Sequence, residues 1–595
     1  MVVDMAILEQ HVSKGAAHNI SRWLTEPKYR EYAAEVEALV EAQAWQELED
    51  SFFKVIEFGT GGRRGVVGVG SNRINRITIG ESAQALCVYA TEFDVSAPEK
   101  GIVIACDTRI SSPELSRVAA EVCAANGFTT YIFDEFRSTP ELSFAVRHLG
   151  AAAGIVISAS HNPPADNGFK AYWNDGAQLV APHDAGVLQK AGEIEMIHTV
   201  PFDEAVQEGR IKIIGAEVDA AYVNAASAEA VGQSRDISIV YSPLHGTGQT
   251  NVLPVLRAAG FSDIRVVEEQ MVPDGSFPTI PDGKPNPQEV VANEMAVKKM
   301  MDEHADIVIT NDPDADRIGV VVRHKDAPVY INGNQAAALA ADYVLEMMQQ
   351  NNELTQKHYL AKTIVTTDLL QALADHHGIK LYGNMLVGFK YIGELLRNKE
   401  GSDEIFVLGG EESYGLLKGT YARDKDGAAG ALTLAEAAAY YKEQGKTLYD
   451  RLLELFATHG IYEEQLVDVQ FPGADGFESM QTIMRNLQIA PPALLGGQEV
   501  TAVQDYTTLV RTDFVTKEQV GIDCATGNVL VFEFGDIRRR VTVRPSGTEP
   551  KIKLYVQWYE SLSQERASDV AGAYAELQAT LDAFTSKLKS QLLDT

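Results

Sequence analysis

Five short segments carry residues whose types and spacing suit phosphoryl chemistry. The first is SASHNPPADNGFK (158–170), where an apolar run ends and delivers Ser160 and His161 into a loop. A serine so placed can act as a nucleophile or a phosphate carrier. Alone it would ordinarily be a loop hydrogen-bonder. Here Asn167-Gly168 supplies a turn and Lys170 returns a cation to the same neighbourhood. No G-x-S-x-G elbow surrounds the serine, which argues against a serine hydrolase.

The second segment is NDPDADRIGV (311–320), with Asp312, Asp314 and Asp316 alternating. In an extended segment these carboxylates would point to one side. They would repel one another unless a cation sat between them, and all-oxygen ligation favours Mg²⁺. Arg317 follows at once and can meet a phosphate. An EF-hand is excluded: counting from Asp312, its required Gly and Glu fall on Arg317 and Arg323. A DxD after a strand also suits an aspartyl-phosphate enzyme, with Asp312 as the nucleophile, and that alternative stands at this level.

The third segment, GGEESYG (409–415), offers Glu411 and Ser413, a carboxylate and a hydroxyl able to hold the vicinal hydroxyls of a sugar. Nearby VGFKYIG (387–393) and RDKDG (423–427) add Lys390 and Lys425. The fourth, RPSGTEPK (544–551), gathers Arg544, Ser546, Gly547 and Thr548. A guanidinium, two hydroxyls and free N–H groups make a phosphate cradle by composition. The fifth, FGTGGRRGVVG (58–68), lets backbone approach a ligand and brings Arg64. A further Asp107-Thr108-Arg109 stands at the end of an apolar run.

Charge makes a demand on this reading. The 595-residue chain carries a formal net charge of -32, which disfavours nucleic acid and anionic membranes as partners. An anionic substrate therefore needs a local basic cleft, and Arg64, Lys170, Arg317, Lys390, Lys425 and Arg544 supply one. The cysteines Cys87, Cys106, Cys123 and Cys524 show neither CxxC nor zinc spacing, which points to a reducing, cytoplasmic setting. The first residues lack the pattern of a signal peptide, and no window is apolar enough to span a membrane.

The elements that must position these motifs follow a repeated pattern. Residues 1 to about 50 read as a helical cap, with Trp23, Val36, Leu39 and Trp45 supplying apolar faces. Beyond it, GIVIACD (101–107), AAAGIVISAS (151–160), DISIVYS (236–242), ADIVITND (305–312) and DEIFVLGG (403–410) read as buried strands. Helical stretches such as 111–127 and 427–445 lie between them. Alternating strands and helices predict α/β domains with largely parallel sheets, whose ligands bind beyond the carboxyl ends of the strands. The tail from 532 predicts an α+β unit ending in one long helix. The expected division is 1–232, 233–335, 336–460 and 461–595.

Taken together, the segments resemble the α-D-phosphohexomutase superfamily, and within it the phosphoglucomutase branch. The resemblance runs from about Phe58 to Tyr555 and keeps the motif order. It implies three similar mixed α/β domains and a mobile C-terminal domain around a central cleft. It makes Ser160 the phosphoserine, and Asp312, Asp314 and Asp316 the Mg²⁺ ligands alongside a phosphoserine oxygen. Glu411 and Ser413 become the sugar loop, and Arg544, Ser546, Gly547 and Thr548 the grip on the non-reacting phosphate. Arg64, His161, Lys170, Arg317, Lys390 and Lys425 become cleft residues for phosphate binding or proton transfer. SPLHGTG (242–248) also matches, with no role attached to His245. The implied reaction interconverts glucose 1-phosphate and glucose 6-phosphate through glucose 1,6-bisphosphate, in a monomer or weak homo-oligomer. Mannose or pentose phosphates are the alternative substrates. One departure matters: Tyr414-Gly415 stands where mannose- and glucosamine-type relatives carry Gly-His. That leans toward glucose and leaves the acid–base role to Lys170, His161 or Lys425.

Overall fold

The computed structural model describes residues 5–57, 62–471, 476–547 and 550–593. The helices Lys14–Thr25, Ala33–Glu41 and Trp45–Phe52 form the expected cap. Its centre is aromatic: Trp23 stacks on Tyr29 at 4.7 Å and meets Phe52 edge-on at 5.5 Å. The cap docks on the first α/β unit through Ile77 and through a buried Lys28–Glu81 ion pair of 2.5 Å.

Three sheets then repeat one device. In each, a buried strand runs into a tight polar loop, and the chain returns antiparallel beside it. In the first sheet Ala153–Ile157 returns as Asp166–Trp173, with Val156 opposite Lys170. In the second Ile307–Asn311 returns as Ile318–His324, and in the third Ile405–Gly410 returns as Leu416–Lys418. The outgoing strands read as unbroken apolar runs because helices cover both faces of the sheet. Ile102–Cys106 and Ile307–Asn311 are buried at every position. The inner strands pair parallel, as expected, and the return strands make each sheet mixed. The serine, aspartate and GGEESYG motifs therefore occupy the same place in three similar units.

The last unit differs. It is a seven-stranded sheet, antiparallel at each pairing, from Ile461–Gln470 through Lys551–Glu560 and Asp536–Pro545 to the edge strand Gln519–Gly521. The long helix Val570–Leu593 buries Leu577, Leu581 and Leu588 in the same core. Among the described residues no helix is long and apolar enough to cross a membrane.

Candidate active site

The serine loop is held in a demanding shape. Ser160 has φ of 52°, the left-handed region that costs a non-glycine residue about 1–3 kcal/mol. Ser158 Oγ accepts the Ser160 N–H at 2.8 Å. The Arg109 guanidinium donates to the carbonyls of Ser160 (2.6 Å), Asn162 (2.5 Å), Pro163 (2.7 Å) and Asp166 (2.9 Å). The Ser160 side chain is buried; its Oγ donates to Asp312 Oδ2 at 2.5 Å and lies 3.1 Å from His161 Nδ1.

The aspartates do converge, but not through the expected extended segment. The strand stops at Asn311 and the chain turns: Ala315 adopts φ of 51°, and its N–H bonds the Asp312 carbonyl at 2.9 Å. The turn, rather than strand alternation, brings one oxygen from each of Asp312, Asp314 and Asp316 within 4.8 Å of one another. Alternation fails here because a two-residue period needs β geometry, which a left-handed residue breaks.

All three carboxylates are buried, and their neighbours are cations. Lys170 Nζ donates to Asp314 Oδ2 at 2.5 Å and lies 3.3 Å from Asp316. Lys425 Nζ lies 2.8 Å from Asp316 Oδ2. Thr139, from the first unit, donates its hydroxyl to Asp314 Oδ2 at 2.8 Å and its N–H to the Asp314 carbonyl. Arg317 donates its N–H to Asp312 Oδ1 at 3.0 Å. Asp314 Oδ1 and Asp316 Oδ1 remain buried without a hydrogen-bond partner among the described residues. Buried carboxylate oxygens left unpaired are costly. An all-oxygen set with two such atoms fits a hard divalent cation.

Electrostatics separate the groups. Burial, reinforced by Asp316 and Asp314, pushes the Asp312 carboxyl well up. Burial acts the same way on Asp314, but Lys170, Arg64 and Lys425 outweigh it and hold that carboxyl well below the usual range. Burial together with Arg317 and Arg64 pushes His161 well down, so its imidazole is neutral at pH 7. Lys425 is held up by Asp316, Asp424 and Glu411 against its burial.

The GGEESYG segment forms the adjoining wall. The Tyr414 carbonyl accepts the Ile318 N–H at 3.0 Å, which ties this loop to the strand leaving the aspartate turn. At Gly333 a Cβ would stand 2.1 Å from the Glu412 carbonyl oxygen, so glycine alone admits the loop there. Burial pushes the Glu411 carboxyl up to about 7, with Lys425 opposing and Glu412 assisting. Ser413 is half-buried beside it. Arg64 pairs across strands with Gly168, at the other side of the serine loop.

Lys390 and the described residues of the Arg544 loop stand apart from this cluster. Lys390, on the helix Phe389–Lys399, faces Asp184 at 3.5 Å. Arg544, Ser546 and Gly547 line a cavity of about 950 Å³ that also touches Tyr391, Leu386 and Lys54. Arg544 is felt electrostatically by Glu412, which links this loop to the wall formed by residues 409–415. Thr548 lies outside the described residues.

Several residues that the sequence does not single out complete the arrangement. Arg109 was visible only as part of an Asp-x-Arg string, and Thr139 carried no signal at all. Lys553, on the strand Lys551–Glu560, is close enough to Glu412, Arg317 and His161 to act on all three. Its alternation with Lys551 along one strand was the available clue. His245 is engaged through both ring nitrogens, 2.8 Å from the Val272 carbonyl oxygen and 2.9 Å from Thr279 Oγ1.

Comparison with known proteins agrees with this architecture. Models of the phosphoglucomutase/phosphomannomutase family match in order: α/β/α domain I over residues 55–197, domain II over 220–325, domain III over 332–459 and the C-terminal domain over 493–577. A phosphoglucomutase of Staphylococcus epidermidis is 33% identical over 519 residues, covering 86% of this chain and 92% of its own. One from Staphylococcus aureus is 34% identical over 539 residues, covering 88% and 93%. Among solved structures, the open form of the Paramecium phosphoprotein parafusin superposes with a TM-score of 0.65 at 18% identity, covering 91% of this chain and 98% of its own. A family protein from Burkholderia thailandensis gives 0.62 at 19%, covering 90% and 97%. The chain belongs to the phosphoglucomutase/phosphomannomutase family.

Proposed function

We propose that this protein is a Mg²⁺-dependent phosphoglucomutase that interconverts glucose 1-phosphate and glucose 6-phosphate through a phosphorylated Ser160. The observation that carries the proposal is the 2.5 Å approach of Ser160 Oγ to Asp312 inside a buried carboxylate cluster. The phosphoglucomutase name of relatives 33–34% identical across most of the chain supports the choice of sugar.

In this reading phospho-Ser160 hands its phosphoryl group to O6 of glucose 1-phosphate. Glucose 1,6-bisphosphate forms, turns over in the cleft and returns its C1 phosphoryl group to Ser160. Each transfer breaks one P–O bond and makes another, and the proton released by the accepting hydroxyl ends on the departing oxygen. Asp312, Asp314 and Asp316 would hold Mg²⁺, which neutralises charge on the transferring group when bound. The neutral His161 can take or return the proton at Ser160 Oγ. Lys170 and Lys425, each paired with carboxylates, keep the cluster near neutrality and orient it. Glu411 and Ser413 grip sugar hydroxyls. Arg544, Ser546, Gly547 and Thr548 hold the spectator phosphate, and Arg64, Arg317 and Lys390 add positive charge along the cleft. Two ends of one sugar must bind alternately, so generic hydroxyl and phosphate grips are what the reaction needs. We place the enzyme in the cytoplasm as a monomer or weak homo-oligomer.

The test is kcat/KM on glucose, mannose and ribose 1-phosphates in parallel, with Mg²⁺ and a bisphosphate activator. A clear lead for glucose 1-phosphate is expected. A lead for mannose or the pentose would keep the chemistry and overturn the substrate.

A further inference from the structure

Ser160 and the carboxylate cluster belong to different α/β units, so their register must be set by contacts between the units. We propose that Arg109 is the positioning residue that sets it. This inference rests on the reading of Ser160 as the phosphoryl carrier.

Four carbonyls of the serine loop converge on one buried guanidinium, all within 2.9 Å. One of them is the carbonyl of Ser160 itself, the residue forced into left-handed backbone. Asp107 neutralises and aims the guanidinium: its Oδ2 lies 3.2 Å from Arg109 Nε, and its Oδ1 accepts the Arg109 N–H at 3.0 Å. The same turn fastens the far end of the loop. Ser112 Oγ donates to Asp107 Oδ1 at 2.6 Å, and Asn167 Nδ2 donates to Ser111 Oγ (2.7 Å) and Ser112 Oγ (3.0 Å). Both ends of the loop therefore hang from residues 107–112.

The second unit seizes that same turn. The Arg109 guanidinium lies 5.2 Å from the centre of the Phe277 ring, a cation–π contact. At Gly275 a Cβ would stand 2.4 Å from Ile110 N and 2.6 Å from Arg109 Cα, so the two backbones touch. His245 clamps the segment carrying both residues, through Val272 and Thr279. His245 follows Ile239–Ser242, the strand paired with Ile307–Asn311 that leads into the aspartates. The aspartate strand, His245, Phe277, Arg109 and the serine loop thus form one continuous chain of contacts. It fixes where a phosphoryl group on Ser160 stands against the carboxylates. Arginine is required because a lysine ammonium has three donors and no planar fork, so it cannot serve four carbonyls.

The experiment loads the full-length enzyme with glucose 1,6-bisphosphate and follows transfer from phospho-Ser160 to glucose 1-phosphate in a single turnover. Arg109→Lys is expected to slow transfer about 100-fold while KM for glucose 1-phosphate stays within about threefold. Arg109→Ala is expected to regain roughly tenfold when guanidinium ion is added, because the planar donor fork is restored. Phe277→Leu, which keeps the arginine, is expected to slow transfer roughly 2- to 5-fold and serves if the arginine variants do not fold. Transfer at the wild-type rate in Arg109→Lys or Phe277→Leu overturns the proposal. So does a fall in the amplitude of transfer with its rate constant unchanged and no guanidinium rescue, which is what a merely structural arginine would give. Wild-type enzyme that accepts no phosphoryl group on Ser160 removes the underlying reading instead.

Discussion

Two parts of the cleft are built on opposite plans. At the junction of the first two units, Ser160, Lys170, Asp312, Asp314 and Asp316 are each at most 1% exposed. Their hydrogen bonds cross between units and leave little freedom. At the far end Arg544 and Ser546 are half-buried, Gly547 is exposed, and the loop faces an open cavity. Phosphoryl transfer demands fixed geometry and the exclusion of water. Holding either end of a sugar bisphosphate demands grips that accept two orientations. In the proposed reaction, a rigid end for the chemistry and an open end for recognition serve one sugar in two poses.

That contrast can be broken by mutation. The largest effect is expected at the rigid end: Asp314→Asn removes charge from the cluster and weakens the Lys170 pairing. Its kcat should fall about 10²–10³-fold, with KM for sugar phosphate within about threefold, in steady-state assays. Arg544→Lys should show the reverse signature. In the proposed phosphate role, loss of a charge-assisted contact of about 1.5–3 kcal/mol raises KM roughly 13- to 160-fold and leaves kcat nearly unchanged. Equal kcat losses in both variants would dissolve the distinction.

Between these ends, Glu411 adds a pH dependence. Its carboxyl is raised from the ordinary 4.5 to about 7 by burial, with Glu412 and Asp424 assisting and Lys425 and Arg317 opposing. A raised carboxyl favours the protonated folded state, so its contribution to stability is complete below 4.5 and is lost as pH rises to about 7. Ionisation also turns Glu411 into a pure acceptor, the form suited to the grip on sugar hydroxyls proposed for it. KM should therefore fall as pH rises through about 7, and Glu411→Gln should flatten that limb of the profile. The smallest expected change is Ser413→Ala. One neutral hydrogen bond is worth about 0.5–1.5 kcal/mol, a roughly 2- to 13-fold loss in kcat/KM.

The same contrast governed what could be read from sequence. Strands such as Ile102–Cys106 and Ile307–Asn311 were legible because a strand covered on both faces has to be apolar throughout. Ser160 and the three aspartates were legible because their types suit few chemistries in that spacing. Arg109 was not, since its partners are backbone carbonyls more than 50 residues away, and carbonyls leave no mark in a sequence. Thr139 meets Asp314 across 175 positions for the same reason. The aspartate turn departs from the extended chain that alternation suggests because Ala315 turns left-handed. Lys390 reads as a cleft cation, and only packing shows that Asp184 stands 3.5 Å from it.

The central claim is that Ser160 carries the phosphoryl group. The most direct measurement is to expose the purified protein to glucose 1,6-bisphosphate with Mg²⁺ and locate the added phosphoryl group by peptide mass spectrometry. The expected result is one group on Ser160, stable to mild alkali and discharged when glucose 1-phosphate is supplied in excess. An alkali-labile group on Asp312 would contradict it, as would a Ser160→Ala protein that still turns over at the wild-type rate.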